Sequence, residues 1–165
     1  MTPRAFLRAL DPNAGAFAFQ LIPEAGAGAP RSFHGVPEGA IGDHDRAAAV
    51  FVAVNETDGS GRCKENIVRV RAVFQEDDSG YRGSFPLEPS MVVESSPGRF
   101  HRYWLIADQW PADECGRADF DRVMERMIKS YGSDRGAKDI IWVKRWGNRP
   151  AFLWIAEYLG CCASG

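Results

Sequence analysis

Residues 68–78 read VRVRAVFQEDD, alternating and then continuous apolar positions that run into three acids. The β-branched and aromatic content of 68–76 predicts a core strand, and Ser79-Gly80 ends it. Side chains two apart on a strand share a face, so Glu76 and Asp78 converge while Asp77 points away. Two carboxylates held that close raise each other's pKa unless a cation neutralises them. Hard divalent ions such as Mg2+ or Mn2+ take oxygen ligands of this kind. Alone, the triplet is better read as a solvated acidic strand end; its neighbours in the chain change the balance.

Outward from this strand, residues 17–22, 48–54, 91–94 and 100–107 also read as strands. The connection Ser95-Ser96-Pro97-Gly98-Arg99 makes the last two an antiparallel hairpin. Helical spacing marks a short amphipathic helix over 3–10, closed by Pro12. A second helix carries Phe120, Val123, Met124, Met127, Ile128 and Tyr131, with Gly132 at its stop. Residues 23–42, rich in Gly, Pro and Ala without periodicity, read as a long loop. Strands from distant stretches with helices over one face indicate a two-layer α+β domain. The 165 residues suit one such domain, spanning 1–165.

With 45% hydrophobic and 25% charged residues, the composition is that of a folded globular chain. There is no run of eighteen apolar residues and no apolar leader at the start, so no membrane partner and a cytoplasmic location are expected. Cys63, Cys115, Cys161 and Cys162 show no CxxC spacing and read as reduced, incidental thiols.

The formal charge of -2 argues against a protein that holds nucleic acid by bulk electrostatics. Local basic clusters occur instead at Arg62, Lys64, Arg69 and Arg71, at Arg99 and Arg102, and at Arg135, Lys138, Lys144, Arg145 and Arg149, each by itself a solvated face. Asp139 stands inside the last, a third carboxylate beside cations, which is what two metal ions and a triphosphate require. His101 follows the Gly98-Arg99 turn, whose arginine and free amides could donate hydrogen bonds to phosphate oxygens beside it.

Four blocks in order, VFVAVNETDGSGRCKENIVRVR (50–71), AVFQEDD (72–78), VVESSPGRFHRYWL (92–105) and YGSDRGAKDI (131–140), resemble the RepB-like DNA primase family of the archaeo-eukaryotic primase superfamily. The resemblance covers about residues 48–147 and leaves 148–165 as an atypical tail. It implies an RRM-like, largely antiparallel sheet with covering helices, the archaeo-eukaryotic primase-type core. Glu76, Asp78 and Asp139 would be its catalytic, metal-holding acids, for Mg2+ or Mn2+. His101, Arg99 and Arg145 would contact the nucleotide's phosphates. The implied activity is template-directed nucleotidyl transfer from nucleoside triphosphates on single-stranded DNA in plasmid or phage replication, with a replicative helicase as a further partner.

Two other readings compete. A catalytically impaired module of this fold would bind nucleotide or single-stranded DNA, with Phe100, Tyr103 and Trp104 as stacking candidates, although core packing accounts for at least half of them. A metal-dependent nuclease or relaxase would commonly use several histidines or a nucleophilic tyrosine, which fits the single placed histidine less well.

Overall fold

The computed structural model describes residues 3–23, 29–35, 48–61, 63–77, 80–108, 110–140 and 143–146, with backbone alone for Ala48, Ala49, Ala137 and 143–146. Helix α1 (Pro3–Leu10) is followed by strands β1 (Phe17–Pro23), β2 (Arg31–Gly35), β3 (Ala48–Ala53), β4 (Glu56–Thr57), β5 (Ile67–Arg69), β6 (Ala72–Asp77), β7 (Met91–Ser96) and β8 (Arg99–Leu105). Helix α2 (Glu114–Tyr131) and β9 (Val143–Trp146) complete the order. The strands form a four-stranded sheet, β2-β1-β3-β9, a three-stranded sheet, β6-β8-β7, and the small pair β4-β5, every pairing antiparallel. This is the expected α+β architecture, with antiparallel sheets and covering helices.

One apolar cluster serves both larger sheets. Phe17, Phe19, Leu21, Val50 and Val52 of the first meet Phe74, Met91, Val93 and Tyr103 of the second, together with Phe6, Leu7 and Leu10 of α1 and Phe120 and Met124 of α2. The four-residue spacing of Phe120 and Met124 puts both on one helix face, and Phe120 lies 6.3 Å from the Phe74 ring. Asp113 caps α2 by accepting from the Gly116 amide, and Gly132 ends it at φ 63°, the left-handed conformation that glycine adopts without a Cβ penalty.

Two expectations need revision. Part of the supposed loop 23–42 is β2, whose residues pair with β1 from Phe17↔Gly35 to Leu21↔Arg31. It is an edge strand carrying one core-facing ring, Phe33 stacked on Phe19, so its sequence has no apolar period. The run 68–76 is two strands. At Val70 and Arg71 the chain leaves the small sheet, with the Val70 amide donating to the Trp110 carbonyl.

The break is held by Asn55, 1% exposed at the end of β3. Its Oδ1 accepts from the amides of Arg71 (3.0 Å) and Ala72 (3.5 Å), and its Nδ2 donates to the Ile140 carbonyl (3.0 Å). One side chain thus joins β3, the start of β6 and the segment after Asp139. Asn55→Ala strands three main-chain groups away from water. It is expected to lower the unfolding free energy by about 2–3 kcal/mol, read as a lower urea midpoint at unchanged slope.

Candidate active site

Strand register gathers the candidate residues. β6 and β8 pair Glu76 with His101, and β8 pairs His101 with Val93 of β7. By the two-residue period, Phe74, Glu76, Tyr103, His101 and Arg99 share the face that carries the core, and Glu76, His101 and Arg99 lie at its polar end. The main chain of Glu76 turns away from β8, because its amide donates to Ser133 Oγ and its carbonyl accepts from the Asp134 amide, both at 3.1 Å. The Glu76·His101 pair is therefore of the non-hydrogen-bonded kind, in which opposed side chains approach most closely. Accordingly His101 Nε2 stands 3.3 Å from Glu76 Oε1, with the histidine side chain 7% and the glutamate 23% exposed.

Behind them, Tyr103 is fully buried. Burial, and then the negative charge of Glu76, push its phenol well above the ordinary value, so it stays neutral.

Asp77 points away from Glu76, as the strand period requires. It is 1% exposed on the opposite face, where Arg102 Nη1 donates to its Oδ2 (2.8 Å) and to Gln75 Oε1 (2.7 Å). Burial pushes its carboxyl up, but the Arg102 hydrogen bond and the Tyr81 amide outweigh that and hold it below the ordinary range. The same competition, won by Arg71 and Arg69, depresses Asp11. A folded-state pKa below the unfolded value near 3.9 means stability that is complete above that pH and lost as pH falls through the folded value. Unfolding free energy should therefore decline below about pH 4, and Asp77→Asn should flatten part of that decline in an acid titration of the urea midpoint.

Asp78 lies outside the described residues. Asp139, at the end of the 3-10 turn Arg135–Lys138, is partly exposed, with Lys64 Nζ 3.8 Å from its Oδ1. Arg145 sits in β9 opposite Phe51, its side chain outside the described residues. Arg99 is exposed at the β7–β8 hairpin, where Gly98 turns at φ 75°. The Gly98 amide is not free for phosphate, since it donates to Glu94 Oε1 at 2.9 Å.

The acid whose main chain directly joins Glu76 is Asp134, to which sequence reasoning assigned no role. Helix α2 stops at Gly132, Gln75 Nε2 binds the Tyr131 carbonyl (2.7 Å), and the next two residues run along the free edge of β6. Asp134 is exposed, and its Oδ1 accepts from the Gly136 amide, capping the 3-10 turn. The available signal was its position two residues beyond a predicted helix stop, inside the YGSDRGAKDI block.

The stacking candidates are largely core. Tyr103 is fully buried, Trp104 is 8% exposed and donates to the Leu87 carbonyl, and Phe100 lies beneath the Arg102 guanidinium. Arg69 and Arg71 likewise are not a solvated basic face, for both bind Asp11. Among the described residues no three His, Cys, Asp or Glu side chains converge closely enough to hold a metal ion, and no helix is long and apolar enough to cross a membrane.

No protein-family model matches the chain, and no curated protein matches it. Among solved structures, it is similar to the AEP domain of the cyanophage S-2L primase-polymerase (PrimPol), with a TM-score of 0.64 and 16% identity over 86% of this chain and 78% of that one. At that identity the likeness establishes the fold.

Proposed function

We propose that the chain is a nucleotidyl-transfer domain that copies single-stranded DNA with nucleoside triphosphates in phage or plasmid replication. The observation that carries this reading is the cross-strand pair Glu76–His101, a carboxylate beside an imidazole nitrogen at the polar end of a sheet similar to that of a primase-polymerase domain. Glu76 and Asp78, with a third carboxylate, would hold Mg2+ or Mn2+. The donor set suits these hard ions, which need few protein carboxylates because substrate phosphates and water complete their shell. When bound, the metal would supply charge neutralisation for the attacking and leaving oxygens.

The protein's own groups would then divide the work. Glu76 presents its carboxylate from a strand end whose amide and carbonyl are held by Ser133 and Asp134. His101 Nε2, within reach of Glu76, donates to a phosphate oxygen of the incoming nucleotide. Arg99, two residues away on the same face, adds charge at the rim, and Arg145 is the further phosphate contact that the family resemblance suggests. A replicative helicase would be the natural partner of such a domain, opening the duplex that it copies.

The third carboxylate has two candidates. Asp139 occupies the position that the family pattern suggests, while Asp134 is joined to Glu76 through the main chain. Primer extension with Mn2+ by Asp134→Asn and Asp139→Asn separates them: the ligand variant should lose about a hundredfold or more in rate, the other less than about fivefold. Wild-type protein that extends no primer under any metal would refute the reading. Extension equally intact in both variants would refute the three-carboxylate arrangement.

A further inference from the structure

The middle acid of the triplet has no place in the chemistry just described, yet it is the most buried carboxylate of the described residues near the site. Asp77 is 1% exposed, and each of its oxygens is engaged: Oδ2 with Arg102 Nη1 and Oδ1 with the Tyr81 amide, both at 2.8 Å. Arg102 is itself fixed from several sides. It donates to Gln75 Oε1, and its guanidinium lies 5.4 Å from the Phe85 ring centre and 5.3 Å from that of Phe100. Phe85 in turn packs on Trp104 and Tyr131, and Tyr81 on Tyr131. Segment 81–87 thus covers the back of the sheet where Glu76 and His101 occupy the front.

The register makes this arrangement specific. Asp77 lies between Glu76 and Asp78 in the chain, and Arg102 directly follows His101. A clamp between Asp77 and Arg102 therefore ties β6 to β8 where the front pair meets, and the Tyr81 amide fastens the same carboxylate to segment 81–87. We propose that Asp77 and Arg102 are positioning residues for the candidate metal site, holding the Glu76–His101 spacing from the covered face of the sheet. This rests on the nucleotidyl-transfer reading of the front face. Neither residue touches substrate in this scheme; each acts through its neighbours in the chain.

A purely architectural clamp predicts something different. It would lower the folded fraction and leave each folded molecule with its full metal affinity. The test uses the whole chain carrying Asp77→Asn, Arg102→Gln or Arg102→Lys, with Mn2+ binding counted by electron paramagnetic resonance per folded molecule and primer extension measured across Mn2+ concentration. Asp77→Asn and Arg102→Gln are expected to weaken Mn2+ binding, and to raise the Mn2+ needed for half-maximal extension, by about tenfold or more, with a smaller change in nucleotide KM. Arg102→Lys keeps a charge for Asp77 and should recover part of the loss, which keeps the test informative if Asp77→Asn fails to fold. Wild-type activity with unchanged metal requirement per folded molecule in the variants would overturn the positioning role alone. Absence of Mn2+ binding and of product in the wild type would overturn the nucleotidyl-transfer reading, and this inference with it.

Discussion

Glu76→Gln is expected to cut template-directed incorporation by about a thousandfold or more, equivalent to ~4 kcal/mol of transition-state stabilisation, while changing the unfolding free energy by less than about 1 kcal/mol. The two effects separate because of where Glu76 stands. Its main-chain groups, which bind Ser133 and Asp134, are unaltered by the substitution, and its side chain is 23% exposed at the end of the core face, so glutamine fits without a cavity. What disappears is the negative charge that a divalent ion requires. Asp78→Asn should lower incorporation to a similar extent. Extension that survives either change at more than about a tenth of the wild-type rate would show that the acids of this strand are not metal ligands. Nucleotide or single-stranded DNA binding that persists in the variants, in a wild type that synthesises nothing, would instead favour the binding-module reading.

Removing Asp11 should have the largest effect on folding. Asp11, just beyond α1, is 7% exposed and binds both Arg71 of the β5–β6 junction and Arg69 of β5, while Glu56 of β4 completes the cluster. Arg71 is 3% exposed, lies 4.7 Å from the Phe17 ring centre, and has its pKa lowered chiefly by burial. Asp11→Ala leaves that guanidinium in the interior with Glu56, at 3.8 Å, as its remaining carboxylate among the described residues. The expected loss is about 3–5 kcal/mol, seen as a fall in urea midpoint. Replacing both partners by apolar residues, Asp11→Leu with Arg71→Met, should recover most of it, because the penalty lies in the uncompensated buried charge. If the double variant is no more stable than Asp11→Ala, the cost lies in packing rather than in charge.

The elements legible in the sequence were those whose own residues carry the pattern. β1, β3, β7 and β8 are short apolar or alternating runs, and α2 shows both its helical stripe and its glycine stop. β2 lacked any such mark because an edge strand with one buried ring has nothing to alternate. The division of 68–76 into β5 and β6 was invisible for another reason: it depends on Asn55, which reaches Arg71 and Ala72 from another strand. Long-range charge pairing was equally hidden. Arg69 and Arg71 read as a basic cluster, and nothing local reveals that Asp11 neutralises them from about sixty positions away.

For the site, strand periodicity was sufficient to turn Asp77 away from Glu76, and the hairpin was sufficient to set His101 on an ordered strand. That His101 would face Glu76 required the β6–β8 register, which no local spacing encodes. Asp134 was missed because its place depends on how the chain leaves α2 and meets the edge of β6. Asp139 drew attention by the cations around it in the chain, but the cation that stands near its carboxylate is Lys64, from a different basic cluster far away in the sequence.

The most direct measurement of the central claim is single-nucleotide incorporation by the wild-type chain on four single-stranded templates that differ only in the templating base, with Mn2+ present or chelated. The expected result is addition of the complementary nucleotide on each template, lost on chelation. Addition that ignores the templating base, or no addition in any metal, would contradict the account.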